Sequence, residues 1–164
     1  MSRQHAATLV HGDLNLGNLL RSGPKRFALI DYRTVGVGPR LVDFATLEVG
    51  CWMLAPAPDE SRRKLFADAR QAVAEEFDDE RSESDIPSWI GPYWSLAMRC
   101  RRLALENFPD ASPAEYASLL WLAAVRRSEF KSSAPSAQER RTLRVLSPAL
   151  ALAAKAMLTR GPAA

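Results

Sequence analysis

HGDLNLGN at residues 11–18 and FALIDY at residues 27–32 bracket a segment that must double back on itself. NLLRS (18–22) and FALID (27–31) each carry apolar residues. They flank Gly23, Pro24, Lys25 and Arg26, a composition that reads as a turn. A hairpin centred there pairs Ser22 with Phe27, Leu20 with Leu29 and Asn18 with Asp31, because antiparallel partners keep a constant index sum. The Asn18 amide and the Asp31 carboxylate then meet at one end of the ribbon. Asp13, five residues before Asn18, lies in the loop that enters the first strand and can reach the same point.

Those residue types in that layout suit one chemistry. A hard divalent cation such as Mg²⁺ takes a few protein oxygens and completes its shell with water and phosphate. A neutral amide beside a single carboxylate provides oxygens without piling negative charge against a nucleotide. A second, separate carboxylate can orient an attacking hydroxyl and accept its proton, which suits Asp13. His11 reads as a core or loop histidine with a structural role. Asp43 is either the N-cap of the following helix or a buried anchor, and is structural either way. Arg33 reads as an exposed loop arginine or as a contact to phosphate or substrate.

HGDLNLGN followed by FALIDY resembles the catalytic and metal-binding loops of the aminoglycoside phosphotransferase and choline kinase group, small-molecule relatives of protein kinases. The longer run IDYRTVGVGPRLVDFATLE is similar to that group too, and especially to the kinase-like domains called ternary-complex-associated domains in bacterial signalling or conflict systems. The resemblance covers roughly residues 8 to 50. It implies Asp13 as catalytic base, Asn18 and Asp31 as metal ligands, and His11 and Asp43 as supports of the catalytic loop. It also implies Mg²⁺ and ATP, or another nucleoside triphosphate, as cofactors and a small-molecule hydroxyl as acceptor.

The same resemblance expects a second, smaller lobe over the nucleotide, with a glycine-rich strand turn and a strand lysine. Ten residues precede His11, enough for one short strand at Ala7–Val10. Gly36–Gly38 follows Asp31 and reads as a flexible bend rather than a phosphate-covering loop, and Lys25 falls in the hairpin turn. The expected fold class is therefore α+β and mostly α. It would be a protein-kinase-like C-terminal lobe without the N-terminal lobe, a small catalytic β-hairpin packed on a helical bundle. One domain spans 1–164, with catalytic and metal-binding loops over 1–41 and a helical body over 42–160. The function expected is Mg-ATP-dependent phosphoryl transfer, incomplete without an N-lobe. The alternative is a catalytically silent binding or regulatory module of the same ancestry. An N-lobe-bearing partner protein or self-association would cover the apolar surface left open.

Composition agrees with a single globular domain: 164 residues, 47% hydrophobic and 25% charged, net charge +3. The arginines are scattered, as in Arg62, Arg63, Arg126 and Arg127, which argues for solvated helix faces over nucleic-acid binding. No apolar run reaches membrane-spanning length, and a cytoplasmic location is expected. Cys51 and Cys100 lie far apart without metal or redox spacing, so buried free thiols are expected.

Helical spacing predicts segments over Val42–Leu54 and Asp59–Phe77, then one opened by Pro92 and one from Ser112 to Glu129. A last segment is capped by Ser136 with Glu139 and broken or kinked at Pro148. Trp89, Trp94 and Trp121 read as core, and residues 78–85 as a solvated connector. An acceptor pocket belongs to residues 86–132, where arginines outnumber acids, an argument against polycationic acceptors.

Overall fold

The computed structural model describes residues 7–74, 86–129 and 136–159. Among these residues the β-structure lies within the first quarter of the chain. There β1 (Ala7–Val10) pairs antiparallel with β4 (Gly36–Pro39), and β2 (Leu19–Gly23) pairs antiparallel with β3 (Arg26–Leu29). Two 3₁₀ turns, Leu16–Asn18 and Tyr32–Thr34, join these ribbons. The body is helical, built from α1 (Val42–Met53), α2 (Arg62–Ala74), α3 (Gly91–Asn107), α4 (Pro113–Glu129) and α5 (Ala137–Thr159). The architecture is α+β and mostly α. Residues 78–85 and Phe77 lie outside the described residues, and the expected connector with them.

Gly36–Gly38 is a strand, not a bend. A Cβ on Gly38 would come within 2.8 Å of the Val10 side chain, so glycine is what lets β4 lie against β1. The hairpin differs from expectation by one residue. Leu19 faces Leu29, Leu20 faces Ala28 and Arg21 faces Phe27, with an irregularity between Arg21 and Gly23 that absorbs one residue. Asn18 consequently lies across from Ile30, whose N–H donates to its carbonyl at 3.0 Å, rather than from Asp31.

The ribbons stand largely in solvent and do not pack flat on the helices: every residue of β3 is exposed, as are Leu20, Arg21 and Ser22 of β2. Contact with the body runs instead through the first 3₁₀ turn, where the Leu16 side chain sits over Gly50 of α1.

α1 is apolar nearly all round because it is covered on several sides: it packs on α3 and α4 and touches α5, while α5 packs on α4 and α2. The core gathers Leu41, Ala45, Val49, Trp52, Leu65, Ile90, Ala104, Leu120, Leu146 and Leu150, all buried. Within it sits an unexpected polar cluster. Glu48 of α1, fully buried, accepts hydrogen bonds from Tyr116 Oη of α4 at 2.7 Å, Arg101 Nε of α3 at 3.1 Å and Trp52 Nε1 at 3.3 Å, besides Arg101 Nη2. Burial opposes the charge on Arg101, but the Glu48 carboxylate more than offsets it and holds the guanidinium above its ordinary value. One acid thus ties three helices together.

The helix starts follow their local chemistry. Ser112 Oγ accepts from the Glu115 N–H, and Ser136 with Glu139 closes a reciprocal capping box. Pro92 occupies the first turn of α3, where its missing donor is no loss. α5, however, continues through Pro148 rather than ending there. Residues on both sides of it, Leu146 and Leu150, are buried in the core, and that packing holds the helix together across the missing donor. Thr142 of α5 also accepts from the Ala57 N–H and donates to the Ala55 carbonyl, fixing the chain that leaves α1. Trp89 and Trp94 pack on the core, but Trp121 is 40% exposed. Among the described residues no helix is long and apolar enough to cross a membrane.

Candidate functional site

The HGDLNLGN loop is held from two sides. Asp43, in the first turn of α1, accepts the His11 N–H at Oδ2 (2.7 Å) and the Gly12 N–H at Oδ1 (2.9 Å). It is not the helix N-cap: Leu41 occupies that position, without a side-chain bond. On the other side, Thr34 Oγ1 donates to the His11 carbonyl at 2.7 Å. Gly12 has φ +79°, and a Cβ there would meet the Thr34 carbonyl at 2.6 Å, so only glycine lets the loop pass under the second 3₁₀ turn. The His11 ring donates from Nε2 to the Ile30 carbonyl at 2.9 Å and packs beside Tyr32. His11 is buried, and its other nitrogen, Nδ1, meets no partner among the described residues. Its contacts brace the loop against the chain that leaves β3 for the second 3₁₀ turn.

Two asparagines then close the loop around Asp13. The side chains of Asn15 and Asn18 both donate to the Asp13 carbonyl, at 3.2 and 2.9 Å, while Asn15 Oδ1 caps the Gly17 N–H at 2.9 Å. With its backbone pinned this way, the half-buried Asp13 accepts no hydrogen bond at its carboxylate from any described residue. The Asn18 amide likewise spends its N–H on Asp13, and its Oδ1 accepts no hydrogen bond from the described residues.

Asp31 follows Ile30 directly and is the one non-glycine among the described residues with positive φ, at φ 60° and ψ 60°. A left-handed conformation costs an ordinary residue about 1–2 kcal/mol, and aspartate tolerates it better than most. Its carboxylate is gripped by Arg33, Nε to Oδ1 at 2.7 Å and Nη2 to Oδ2 at 3.0 Å. That hydrogen bonding holds the Asp31 carboxyl below its ordinary value and raises the Arg33 guanidinium, which also feels the charge of Asp13. Asp13, Asn18, Asp31 and Arg33 are linked in turn: Asn18 donates to the Asp13 carbonyl, its own carbonyl accepts from Ile30, the residue before Asp31, and Arg33 pairs with Asp31.

Residues 2–82 match the family model described as the phosphotransferase enzyme family. No curated protein and no solved structure matches the chain. The phosphotransferase-like segment contains every residue of the loop system just described, together with α1 and α2.

Among the described residues no three His, Cys, Asp or Glu side chains converge as a metal cluster. The donor set here is of another kind, one amide oxygen and one carboxylate, hard oxygens that suit Mg²⁺ when water and phosphate fill the remaining positions. By donor type they suit such an ion, but Arg33 occupies both Asp31 oxygens here.

Sequence reasoning left Arg33 between two roles and did not foresee its grip on Asp31. The signal was spacing alone, since two residues on in a tight turn brings a long side chain back over the first. A shallow cleft of about 340 Å³ opens elsewhere, between Glu60, Arg62 and Leu65 and the start of α5, with Arg140, Arg141 and Arg144 on its wall. It takes no residue from 86–132, where an acceptor pocket was expected.

Proposed function

We propose that this chain is the larger lobe of a phosphotransferase that moves the terminal phosphoryl group of Mg-ATP, or of another nucleoside triphosphate, to a hydroxyl of a small molecule. The observation that carries the reading is the loop of Asp13: its backbone is pinned by two asparagines while its carboxylate accepts no hydrogen bond from the described residues, beside an amide and a carboxylate of the kind a divalent ion takes. The similarity of residues 2–82 to phosphotransferases supports it.

In this reading Asn18 Oδ1 and Asp31 hold the ion, which when bound neutralises the phosphates and aligns them. Asp13 accepts the hydrogen bond of the acceptor hydroxyl, aims its oxygen at phosphorus, and takes the proton as the new P–O bond forms. Asp43 and Thr34 keep Asp13 in place. Arg33, released from Asp31, would be free to pair with phosphate oxygens. Asp110 and Glu115, two of the few acids in 86–132, already bind Arg40, at 2.8 and 3.4 Å, so an uncharged or anionic acceptor suits the site better than a polycation.

The roof over the nucleotide would come from a second lobe. Leu9 (74% exposed), Val37 (83%) and Phe27 (67%) leave an apolar surface on the ribbons for a partner bearing that lobe, or for a second copy of the chain.

One observation favours the second reading, a silent module of the same ancestry: both oxygens of Asp31 are taken by Arg33. Calorimetric titration with Mg-ATP decides between them, on the chain alone and with an N-lobe-bearing polypeptide. The enzyme reading expects Mg²⁺-dependent binding that Asp31→Asn weakens. It also expects turnover to fall roughly 10²- to 10⁴-fold in Asp13→Asn with folding intact. Absence of Mg²⁺-dependent binding under both conditions refutes it.

A further inference from the structure

The chain has two cysteines, 49 positions apart, and the fold brings their sulfurs to 3.9 Å. Cys51 is buried in α1, one turn beyond Glu48, and Cys100 is half-buried in α3, next to Arg101. Far from being unrelated thiols, they sit beside the ion pair that already joins the two helices. We propose that Cys51 and Cys100 are an oxidation site, closing to an intrachain disulfide between α1 and α3 when the chain meets a peroxide or a low-molecular-weight disulfide.

The sulfurs are already near neighbours. A disulfide bond is about 2.05 Å long, so the sulfurs must approach by about 2 Å, a distance that rotating two cysteine side chains can cover while packed helices stay in place. The partners also differ in a way that orders the reaction. The two sulfurs share a hydrogen bond that either can donate, and it holds the Cys100 thiol below its ordinary value. The same bond, together with burial, holds Cys51 well above its own. Cys100 is the more exposed residue of the two and so meets the oxidant first.

With a peroxide, Cys100 sulfur attacks the O–O bond and becomes a sulfenic acid, and one water leaves. Cys51 sulfur then displaces the second oxygen as water and the S–S bond forms. Two thiols have lost two electrons to one peroxide. With a small disulfide, Cys100 forms the mixed disulfide and releases one thiol, and Cys51 displaces the other. The cross-link closes a loop of about 50 residues, enough to raise the unfolding midpoint by on the order of 10 °C.

The test uses the full chain in native buffer, treated with hydrogen peroxide or glutathione disulfide and followed by intact mass and thiol titration. The expected product is a monomer that has lost two hydrogens and both titratable thiols, melts higher, and reverts with dithiothreitol. It should form at least about tenfold faster than in the urea-unfolded chain, because folding holds the sulfurs together. Cys51→Ser should stall at a sulfenic acid or mixed disulfide on Cys100, and Cys100→Ser should leave Cys51 unreactive. A folded chain that keeps two free thiols, that cross-links only between molecules, or that oxidises no faster than the unfolded one overturns the proposal.

Discussion

Replacing Asp43 by asparagine changes one oxygen to nitrogen and isolates what positions the HGDLNLGN loop. The carboxylate takes two backbone N–H groups, from His11 at 2.7 Å and Gly12 at 2.9 Å. An amide has one acceptor oxygen, so one bond survives without its charge and the other position turns an NH₂ donor toward an N–H donor. Hydrogen bonds to a charged group contribute about 1.5–3 kcal/mol each. Losing one and weakening the other should cost about 2–4 kcal/mol, and the loss falls on the loop because Asp43 makes no side-chain cap to α1. Native-state hydrogen exchange reads this directly. Protection of the His11 and Gly12 amides should fall on the order of 10²-fold, while the amides of α4 and α5 move far less. Unchanged protection at His11 and Gly12 would refute the anchoring role. A uniform loss across all helices would refute its locality.

Four further outcomes follow from the same structure. Glu48→Ala should cost about 3–5 kcal/mol in urea unfolding, because it leaves the Arg101 charge and the Tyr116 hydroxyl in the core without their shared acceptor; a loss below about 1 kcal/mol would contradict the cluster's role. Gly12→Ala combines a positive φ with a 2.6 Å collision against the Thr34 carbonyl, and should abolish nucleotide binding while the circular dichroism of the helices is kept. Arg33→Gln frees both Asp31 oxygens, so Mn²⁺ alone, followed by electron paramagnetic resonance, should bind more tightly than to the parent; equal affinity would show that the grip does not compete with metal. Finally, the hydrogen bond from Arg40 holds the Asp110 carboxyl below its ordinary value of 3.8, so what this pair adds to stability is complete above about pH 4 and drains as pH falls through the lower folded value. Asp110→Asn should remove that part of the acid dependence.

What could be read in the chain was local. Ser112 before Glu115, Ser136 before Glu139 and Pro92 marked helix starts because capping is decided within one turn. The short strand at Ala7–Val10 and the turn at Pro24–Lys25 were legible for the same reason. The hairpin register was not, since one irregular residue near Ser22 shifts every pairing beyond it. Gly36–Gly38 looked like a bend because its strand partner lies 26 or more residues away, in β1. Cys51 with Cys100, and Glu48 with Arg101 and Tyr116, are meetings of α1, α3 and α4 that no spacing encodes. Glu48 did leave a trace, as a lone acid in the apolar run LEVGCWM, where a charge signals either a buried partner or a misplaced helix.

The ribbons touch the helical body mainly through Leu16 and the bonds of Asp43, while the body holds itself together through its own core and the Glu48 knot. Such a division makes residues 11–35 editable. In a saturation library, substitutions there should sort by lost chemistry with soluble expression retained, whereas substitutions at Glu48, Trp52, Leu120 or Leu146 should vanish from the soluble pool altogether. The same scaffold is thereby free to carry diverged loops, and a chain that has abandoned turnover could keep its shape for generations.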